Sequence, residues 1–559
     1  MRRRSLFWLS SLPIAALVAF YASGSHPDKA AEPSMVEASL SSRLDAYLAW
    51  ADERIERDGN QKPEFSSISA WAGYPLLETM NEMYAITGDV QWLHKLADYY
   101  GYFRSWRGNV RGTLNYQDIA APQWYEGVKL DIFHVSPLHY YNPADTEEIM
   151  RQRGWSSLWF SNINYDGLMM VAPVRFAVAV RQAGLTEFNT VADQIIADAK
   201  ATFASHEPEW SGEFYIFPRN SPFFLDGVEV PINEAASFGS ALVLMYQATG
   251  DSQYLTRAQQ MMARWLPAVE YSPLGMTYPY VTGIWRQGWG HEASPSINSP
   301  EAAPNLNVET FHKAGFTIEF ARLLNAQSPS PELQRFITSF TNVLADADDE
   351  LMHQVSLFPM NLDRSPPPVG DYVENPAGFR GWERVAANDP KAWDRMYLMA
   401  ATSTDPQASG TMVSLLANTP HGTPEPKITS EQIVLSPRAI GDRSPACLYT
   451  ADHDAVVSLR FAAPHFMHKQ LIIYTDPTSD YSHINLVSDG AGYSATAYFK
   501  EGDCIDWRWG AEGKMWPILS QPLFGIGGEI TATEVYLEDA SNASSLASKP
   551  AATNAQSSS

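Results

Sequence analysis

Apolar residues recur at three- and four-residue spacing from residue 39 to about residue 410, and this spacing predicts amphipathic helices. Each predicted helix ends near Gly, Pro or a polar cluster. The clearest predicted helices are Leu44–Arg57, Tyr74–Thr87, Val90–Phe103, Gly167–Ala183, Thr186–Phe203, Ala235–Thr249, Ser252–Ala268, Glu309–Leu324 and Pro331–Asp346, with Trp382–Ala401 as the last. Long segments without this pattern lie at residues 104–160, 205–234 and 270–308.

Beyond about residue 430 the pattern changes to alternation of apolar and polar residues, which predicts strands. The clearest strand signals are Ala455–Phe461, Gln470–Tyr474, His483–Val487 and Ala495–Phe499, with turn residues between them. Residues 430–540 are therefore predicted to form an antiparallel β-sandwich-like domain. The Ser/Ala/Asn-rich residues 541–559 are predicted to be a disordered tail.

An internal repeat predicts how the helices are arranged. The pattern Tyr-x-x-Thr-Gly-Asp-x-x-[Tyr/Trp]-Leu occurs twice, starting at Tyr84 and at Tyr246. In each copy the Gly is suited to end one helix and the Asp to cap the next, which predicts a tight αα-hairpin. Repeated helical hairpins form either an open solenoid or a ring. The irregular period and the long intervening segments favour an α/α toroid over residues 39–410, as an incomplete or closed ring whose long loops gather at one end.

The N-terminus predicts export. Three arginines follow Met1, the apolar stretch Leu6–Ala22 comes next, and small residues end it. Residues 1–24 therefore resemble a signal peptide, with an uncleaved membrane anchor as the alternative, and residues 25–38 are predicted to be a linker. We expect a periplasmic or secreted protein that contacts a membrane only through such an anchor.

Charge and cysteine content exclude several classes of function. The formal net charge of −24 argues against binding to nucleic acid, which requires clustered Lys and Arg. Cys447 and Cys504 form either one disulfide or two buried thiols, and two cysteines are too few for a cysteine-based metal site. No zinc-protease, phosphate-loop or nucleophile-elbow motif is present. We therefore expect no metal and no cofactor, and the oligomeric state stays open.

Several segments together resemble bacterial α/α-toroid polysaccharide lyases and the related helical domain of glucuronyl epimerases. These segments are the two hairpins, Pro231–Glu234 opening one helix and Glu309–His312 opening another, over about residues 65–345. Similar proteins often have two acids and a His at this last helix start, whereas Val308 stands in the first acid's place here. The resemblance implies eliminative cleavage of a uronic-acid polysaccharide, so the expected partner is an acidic polysaccharide or oligosaccharide.

Elimination from a uronate needs a group that neutralises the carboxylate, a base for the carbon-5 proton and an acid for the leaving oxygen. Amide, Arg, Tyr and His side chains in the long loops and at the helix starts meet these needs. The catalytic candidates are Asn233, His312, Tyr165, Tyr280, His291 and Glu309. The substrate-binding candidates are Asn164, Arg286, Trp285, Tyr278, Trp289 and Glu234.

The same residues are also compatible with structural roles and with different chemistry. Asn164 and Asn233 are suited to cap helices, Glu309 suits a first helical turn, and an aromatic loop can pack on itself. A toroid glycoside hydrolase would need two carboxylates at the scissile bond. Its candidates are Glu234, Glu309, Asp166 and Glu292. A uronyl epimerase and a non-catalytic glycan-binding protein are further alternatives.

Overall fold

The computed structural model describes the helical part of the chain and a set of strands that follow it. Described are residues 40–60, 66–127, 143–223, 225–272, 275–287, 294–300, 305–309, 311–345, 381–403, 408–419, 428–435, 449–450, 452–461, 470–474, 481–485, 487–488, 493–499, 502, 504–505 and 530–537. The predicted signal, linker and tail lie outside these residues.

Helices dominate the described residues up to 419. They are α1 Leu40–Asn60, α2 Ser66–Thr87, α3 Gln91–Arg104, α4 Gly108–Arg111, α5 Pro143–Arg153, α6 Ile163–Gln182, α7 Asn189–His206, α8 Ile232–Thr249, α9 Ser252–Trp265, α10 Ile284–Gln287, α11 Phe311–Gln327, α12 Pro331–Ala345, α13 Glu383–Ala386, α14 Pro390–Thr402 and α15 Ala408–Ala417. Helix α5 falls in a segment predicted to be non-helical. Its sequence is polar almost throughout, so apolar spacing could not reveal it.

Both copies of the repeated hairpin have the predicted geometry. Gly88 and Gly250 have φ angles of 68° and 72°, the left-handed conformation that ends a helix and favours glycine. The Asp89 and Asp251 carboxylates accept hydrogen bonds from backbone N–H groups two residues later, at 3.0 Å and 3.1 Å. These bonds start the next helix directly after the turn.

The helices form an inner layer and an outer layer. Helices α2, α6, α8 and α11 pack side by side in chain order, and α15 packs against α2. Short helix α13 contacts α12, α14 and α15. The segment that leads into it approaches α11 so closely that a Cβ at Gly381 would clash with the Gly315 carbonyl oxygen. The inner layer therefore closes into a ring.

Each inner helix has an outer neighbour. Helices α3, α7, α9 and α12 follow α2, α6, α8 and α11 and pack against them, and α14 packs against α15. Close backbone contact helps to hold the inner layer, because a Cβ at Gly167 would clash with the Phe238 backbone nitrogen. This two-layered ring is the arrangement of an α/α toroid.

Helix α6 shows how deeply the inner layer is buried. Among the described helices it is long and apolar enough to cross a membrane, but 89% of its apolar window is buried inside the protein. Its composition is therefore that of a core helix in the centre of the ring.

A cluster of arginine and glutamate side chains joins the inner helices. Arg175 on α6 lies 3.1 Å from Glu78 on α2 and also pairs with Glu319 on α11. Arg384 on α13 pairs with Glu319 at 2.5 Å and with Glu82 at 3.1 Å. Burial alone would raise the pKa of Glu319, but Arg384 and Arg175 lower it to about 2.

Thirteen short strands complete the described structure. They are β1 Glu126–Gly127, β2 Trp159–Phe160, β3 Glu270–Ser272, β4 Gly275–Thr277, β5 Ile428–Leu435, β6 Tyr449–Thr450, β7 Ala455–Phe461, β8 Gln470–Tyr474, β9 Tyr481–Asn485, β10 Val487–Ser488, β11 Tyr493–Phe499, β12 Cys504–Ile505 and β13 Ile530–Leu537.

The strands beyond residue 428 include one antiparallel sheet in the order β10–β11–β7–β13–β5, with β6–β12 and β8–β9 as separate pairs. Strands β7 and β13 pack against α14. The strands predicted from alternation are therefore present, whereas a second sheet packed face to face stays a prediction. The pairing of Cys447 and Cys504 also stays a prediction, because Cys447 and the Cys504 side chain lie outside the described residues.

Substituting Arg384 with Met should destabilise the ring. The change leaves buried Glu319 and Glu82 without one of their cationic partners, which typically costs about 3–5 kcal/mol. The free energy of unfolding from urea titration measures this loss. Arg151→Met is the matched control, because Arg151 pairs with Glu148 on the surface, where solvent screening leaves an ion pair little effect on stability. Equal effects of the two substitutions would contradict a structural role for the cluster.

Candidate active site

The first turns of three inner helices lie at one end of the ring. An antiparallel outer helix follows each of the inner helices α2, α6, α8 and α11, so these four run in the same direction and their N-terminal ends share one end of the ring. The long segments before α6, α8 and α11 reach this same end. They bring together three predicted groups of residues: those around Asn164, those around Asn233 and those around Glu309.

Helix α6 begins with a side-chain cap. The Asn162 carboxamide oxygen accepts from the backbone N–H groups of Asn164 and Tyr165, at 2.9 Å and 3.4 Å. Asn162 is therefore the cap, and Asn164 lies inside the first turn. Asn164 is 1% exposed, and the Ser237 hydroxyl donates to its carbonyl oxygen at 3.2 Å. Tyr165 beside it is also buried.

Asp166 does not serve as an available acid. Its carboxylate accepts from the Trp124 N–H at 2.8 Å and from the Ser161 hydroxyl at 3.0 Å. The His206 Nε2 lies 2.6 Å away, and the His206 Nδ1 lies 2.8 Å from Glu209. These contacts connect two loops and two helices, so Asp166 holds the ends of α6 and α7 together.

His206 is a buried cation. Burial alone would lower its pKa, but the adjacent carboxylates of Glu209 and Asp166 raise the pKa to about 10. Its side chain is fully buried, and both ring nitrogens meet a carboxylate. The imidazolium therefore braces the loop before α6 against the end of α7.

Helix α8 begins at Ile232 after Pro231. Asn233 therefore stands in the first turn and does not cap the helix. It is 1% exposed, and its Oδ1 has no hydrogen-bond partner among the described residues. Glu234 follows and is 2% exposed. Both side chains belong to the interior at the site end of the ring.

Tyr280 connects Glu234 with Lys313. The Lys313 ammonium donates to the Tyr280 hydroxyl oxygen at 3.2 Å, and this hydroxyl lies 3.4 Å from Glu234 Oε1. Tyr280 is half-buried, whereas Lys313 is 5% exposed. Three polar groups from a loop, α8 and α11 therefore converge at the site end of the ring.

Burial and neighbouring charges shift the pKa values of this trio. Burial raises the pKa of Glu234 to about 7, although Lys313 and Tyr280 oppose the rise. Burial and the carboxylates of Glu234 and Glu309 raise the pKa of Tyr280 well above its ordinary value. Burial lowers the pKa of Lys313. Glu234 is therefore the member of the trio that changes its protonation state near neutral pH, whereas Tyr280 stays protonated there.

Glu309 lies just before α11 and does not open the helix as predicted. Its backbone N–H donates to the Tyr278 carbonyl at 2.9 Å, and the Tyr280 N–H donates to the Asn307 carbonyl at 2.9 Å. The Ile232 N–H in turn donates to the Tyr280 carbonyl. This backbone pairing replaces a first helical turn at Glu309 and fixes Tyr280 between the starts of α8 and α11. Glu309 is fully buried.

Two further candidates, Tyr278 and Arg286, have other partners among the described residues. Tyr278 is 2% exposed, and its ring packs near Phe336 and Phe340. It therefore belongs to the core and does not line an open surface. Arg286 lies on α10, where its guanidinium donates to the carbonyls of Leu306 and Asn307 at 3.4 Å and 3.3 Å.

The remaining candidates stay predictions. Trp289, His291 and Glu292 lie outside the described residues, and for Trp285 and His312 only the backbone is described. Sequence reasoning missed Lys313, although a lysine four residues after Glu309 within an apolar stretch was a usable signal. It also missed His206, whose charge depends on carboxylates from distant segments.

Comparisons with known proteins find distant structural matches. No protein-family profile and no curated protein matches the chain. An inactive variant of the α-1,6-mannanase GH76A of Salegentibacter sp. HEL1_6, in complex with alpha-1,6-mannotetrose, has 10% identity and a TM-score of 0.33 over 68% of this chain and 98% of that chain. A glycosyl hydrolase family 88 protein of Bacteroides vulgatus has 13% identity and a TM-score of 0.34 over 68% and 99%. Endoglucanase CelQ of Clostridium thermocellum, complexed with cellotriose, has 11% identity and a TM-score of 0.25 over 84% of each chain.

The charged state of His206 should make stability depend on alkaline pH. Its folded pKa of about 10 exceeds the ordinary value of about 6.5, so its contribution is complete below about pH 6.5 and is lost as pH rises through about 10. We expect the free energy of unfolding, measured by urea titration, to fall over this window. His206→Gln should be less stable at neutral pH and lack most of that fall. An equal slope in both proteins would refute the assignment.

Proposed function

We propose that the protein cleaves a uronic-acid-containing polysaccharide by elimination, with the Tyr280 hydroxyl carrying the proton. The contact that carries this proposal is the Tyr280 oxygen between Lys313 at 3.2 Å and Glu234 at 3.4 Å. Tyr280 is the most accessible of the three, since Glu234 and Lys313 are 2% and 5% exposed. A sugar entering from the loop end would meet the phenol first, with both charged groups behind it.

Tyr280 and Glu234 together can accept the carbon-5 proton of the uronate and later return a proton to the leaving group. The carbon-5 proton of the uronate moves to the Tyr280 oxygen while the tyrosine proton moves to the Glu234 carboxylate. The electron pair of the C–H bond forms the carbon 4–carbon 5 double bond, and the bond to the glycosidic oxygen breaks with its own pair. The same path in reverse returns a proton from Glu234 through Tyr280 to the leaving oxygen.

The relay resolves an apparent conflict in the pKa values. A tyrosine whose pKa is raised well above the ordinary value is protonated before the reaction begins. Very little phenolate is then present to act as the base. Passing its proton to Glu234 avoids a free phenolate, because Glu234 has a pKa of about 7. Lys313 donates to the same oxygen and stabilises any negative charge that develops on it.

Two kinds of group at this end of the ring favour a substrate carboxylate, against the opposing charges of Asp166, Glu234 and Glu309. Helices α6, α8 and α11 all point their N-terminal ends here, and helix N-termini favour anions. Lys313 adds a cation, and Asn164, Asn233 and Arg286 remain the candidates for holding the carboxylate. Charge neutralisation at the carboxylate is what makes the carbon-5 proton acidic enough to leave.

Tyr280→Phe should abolish the reaction without unfolding the protein. The substitution keeps the ring and removes the proton carrier, so the rate should fall by about 10²–10⁴-fold. We would incubate the mature chain with alginate, glucuronan, pectate, glycosaminoglycans and bacterial uronate polymers, and follow the ultraviolet absorbance of the unsaturated uronate product.

Tyr246→Phe is the matched control, because Tyr246 is a half-buried tyrosine on α8 far along the helix from its first turn. It should leave the rate unchanged. Activity that survives in Tyr280→Phe would show that another group takes the proton. No absorbance change on any polymer, with no new reducing ends, would instead favour the epimerase or a binding protein.

Glu234 should set the pH dependence of the elimination. As the proton acceptor it must be ionised, so the rate should rise as pH increases through about 7, where its pKa lies. Glu234→Gln should lower the rate and remove this rise. The pH profile of kcat/KM measures both effects, and an unchanged profile in the variant would contradict the relay.

A toroid glycoside hydrolase is the second candidate, favoured by the raised pKa of Glu234 and the nearby carboxylate of Glu309. In that reaction Glu234 would act as the general acid and would have to be protonated. Its rate would therefore fall as pH rises through about 7, opposite to the elimination. New reducing ends without ultraviolet absorbance, together with this falling limb, would establish the hydrolase.

A further inference from the structure

A second cluster of ligand-type side chains lies in the β-rich part of the chain. Asp452 and His453 stand in the turn before β7, and Glu534 lies on β13. Within the described residues, one potential ligand atom from each of the three lies within 4.8 Å of the other two. Neither the proposed elimination nor its hydrolytic alternative uses these residues.

The contact between His453 and Glu534 has the spacing of two ligands on one ion. His453 Nε2 lies 3.3 Å from Glu534 Oε1, yet this nitrogen makes no hydrogen bond among the described residues. A tetrahedral site with bonds of about 2.1 Å places its ligand atoms roughly 3.4 Å apart. The pair is therefore separated as it would be across a bound metal.

Neighbouring side chains orient the imidazole. Asp452 Oδ1 lies 2.5 Å from His453 Nδ1, which favours the tautomer that leaves an electron pair on Nε2 for an ion. The Tyr536 ring centre lies 3.9 Å from that of His453. Glu534 is 4% exposed and so is held inside the fold. The His453 imidazole and the Glu534 carboxylate are therefore already fixed, with Asp452 as the group that orients the imidazole.

The strand register adds an independent reason for a cation. Glu534 on β13 stands directly opposite Glu431 on β5, and like charges opposite each other in adjacent strands are destabilising. The Tyr536 hydroxyl donates to Glu431 at 2.8 Å. A divalent ion bound by Glu534 would offset this repulsion.

We propose that His453 and Glu534 bind a divalent transition-metal ion of the zinc class, with Asp452 orienting the imidazole. One imidazole nitrogen with carboxylate oxygens is a donor set that suits Zn²⁺, and water completes the coordination. The ion would join the turn before β7 to β13, two neighbouring strands in the middle of the five-stranded sheet. Its role is structural, because no group of the Tyr280 trio takes part.

Titration calorimetry of the untagged full chain with zinc chloride alone tests the site. We expect one ion per chain and a rise in Tm on adding zinc. His453→Ala and Glu534→Gln should each weaken binding at least about tenfold and reduce the rise in Tm. His94→Ala is the matched control, since His94 is an exposed histidine on α3, and it should bind zinc as the wild type does.

Two results would overturn the proposal: no binding by the wild-type chain, or equal binding by His453→Ala and the wild type. Circular dichroism before titration establishes that each variant is folded. Glu534→Gln retains the side-chain volume, so it provides the readout if His453→Ala does not fold. The ultraviolet lyase assay is independent of these outcomes, because the metal-site variants leave the Tyr280 trio intact.

Discussion

The buried pairing of Arg175 and Arg384 with Glu78, Glu82 and Glu319 is the constraint on which the ring depends. These side chains come from α2, α6, α11 and α13, and the sequence separation between Arg384 and Glu82 is 302 residues. A buried charge is stable only when its partners are in place. Moving any one of these helices would leave a charge uncompensated, so the cluster sets how the first and last inner helices meet.

Closing the ring fixes the end at which chemistry can occur. The inner helices run in one direction, so their first turns and the loops before them share one end. Two sets of contacts then stabilise the structure of that end. His206 joins the starts and ends of neighbouring helices through Asp166 and Glu209, and the paired backbone around Tyr280 connects the start of α8 with the segment before α11. The trio owes its geometry to both layers of the ring.

Local sequence patterns predicted the helices and the hairpins, because both depend on interactions between residues that are close in the chain. Apolar spacing identified the long helices, and the repeated Gly-Asp turns identified the hairpins. Glu234 and Tyr280 were also recognised as candidates, since they occur at a helix start and in a long aromatic loop. Their pairing with Lys313 was not predictable in the same way. It depends on which residues of the 278–280 and 307–309 segments face each other, and no local pattern encodes that register.

The acidic character of the chain gives a poor measure of the charge that a substrate meets. The net charge is −24, but many carboxylates at the inner helices are buried, and those of the central cluster are neutralised by arginines. At the trio, Lys313 and three helix N-termini contribute positive potential, which opposes the negative charge that Glu234 carries once it ionises above about pH 7. Because so many carboxylates are buried, the electrostatic potential at the site does not follow from the net charge of the chain. An acidic protein can in this way present a site suited to an acidic sugar, although long-range repulsion would still slow the approach of a polyanion at low ionic strength.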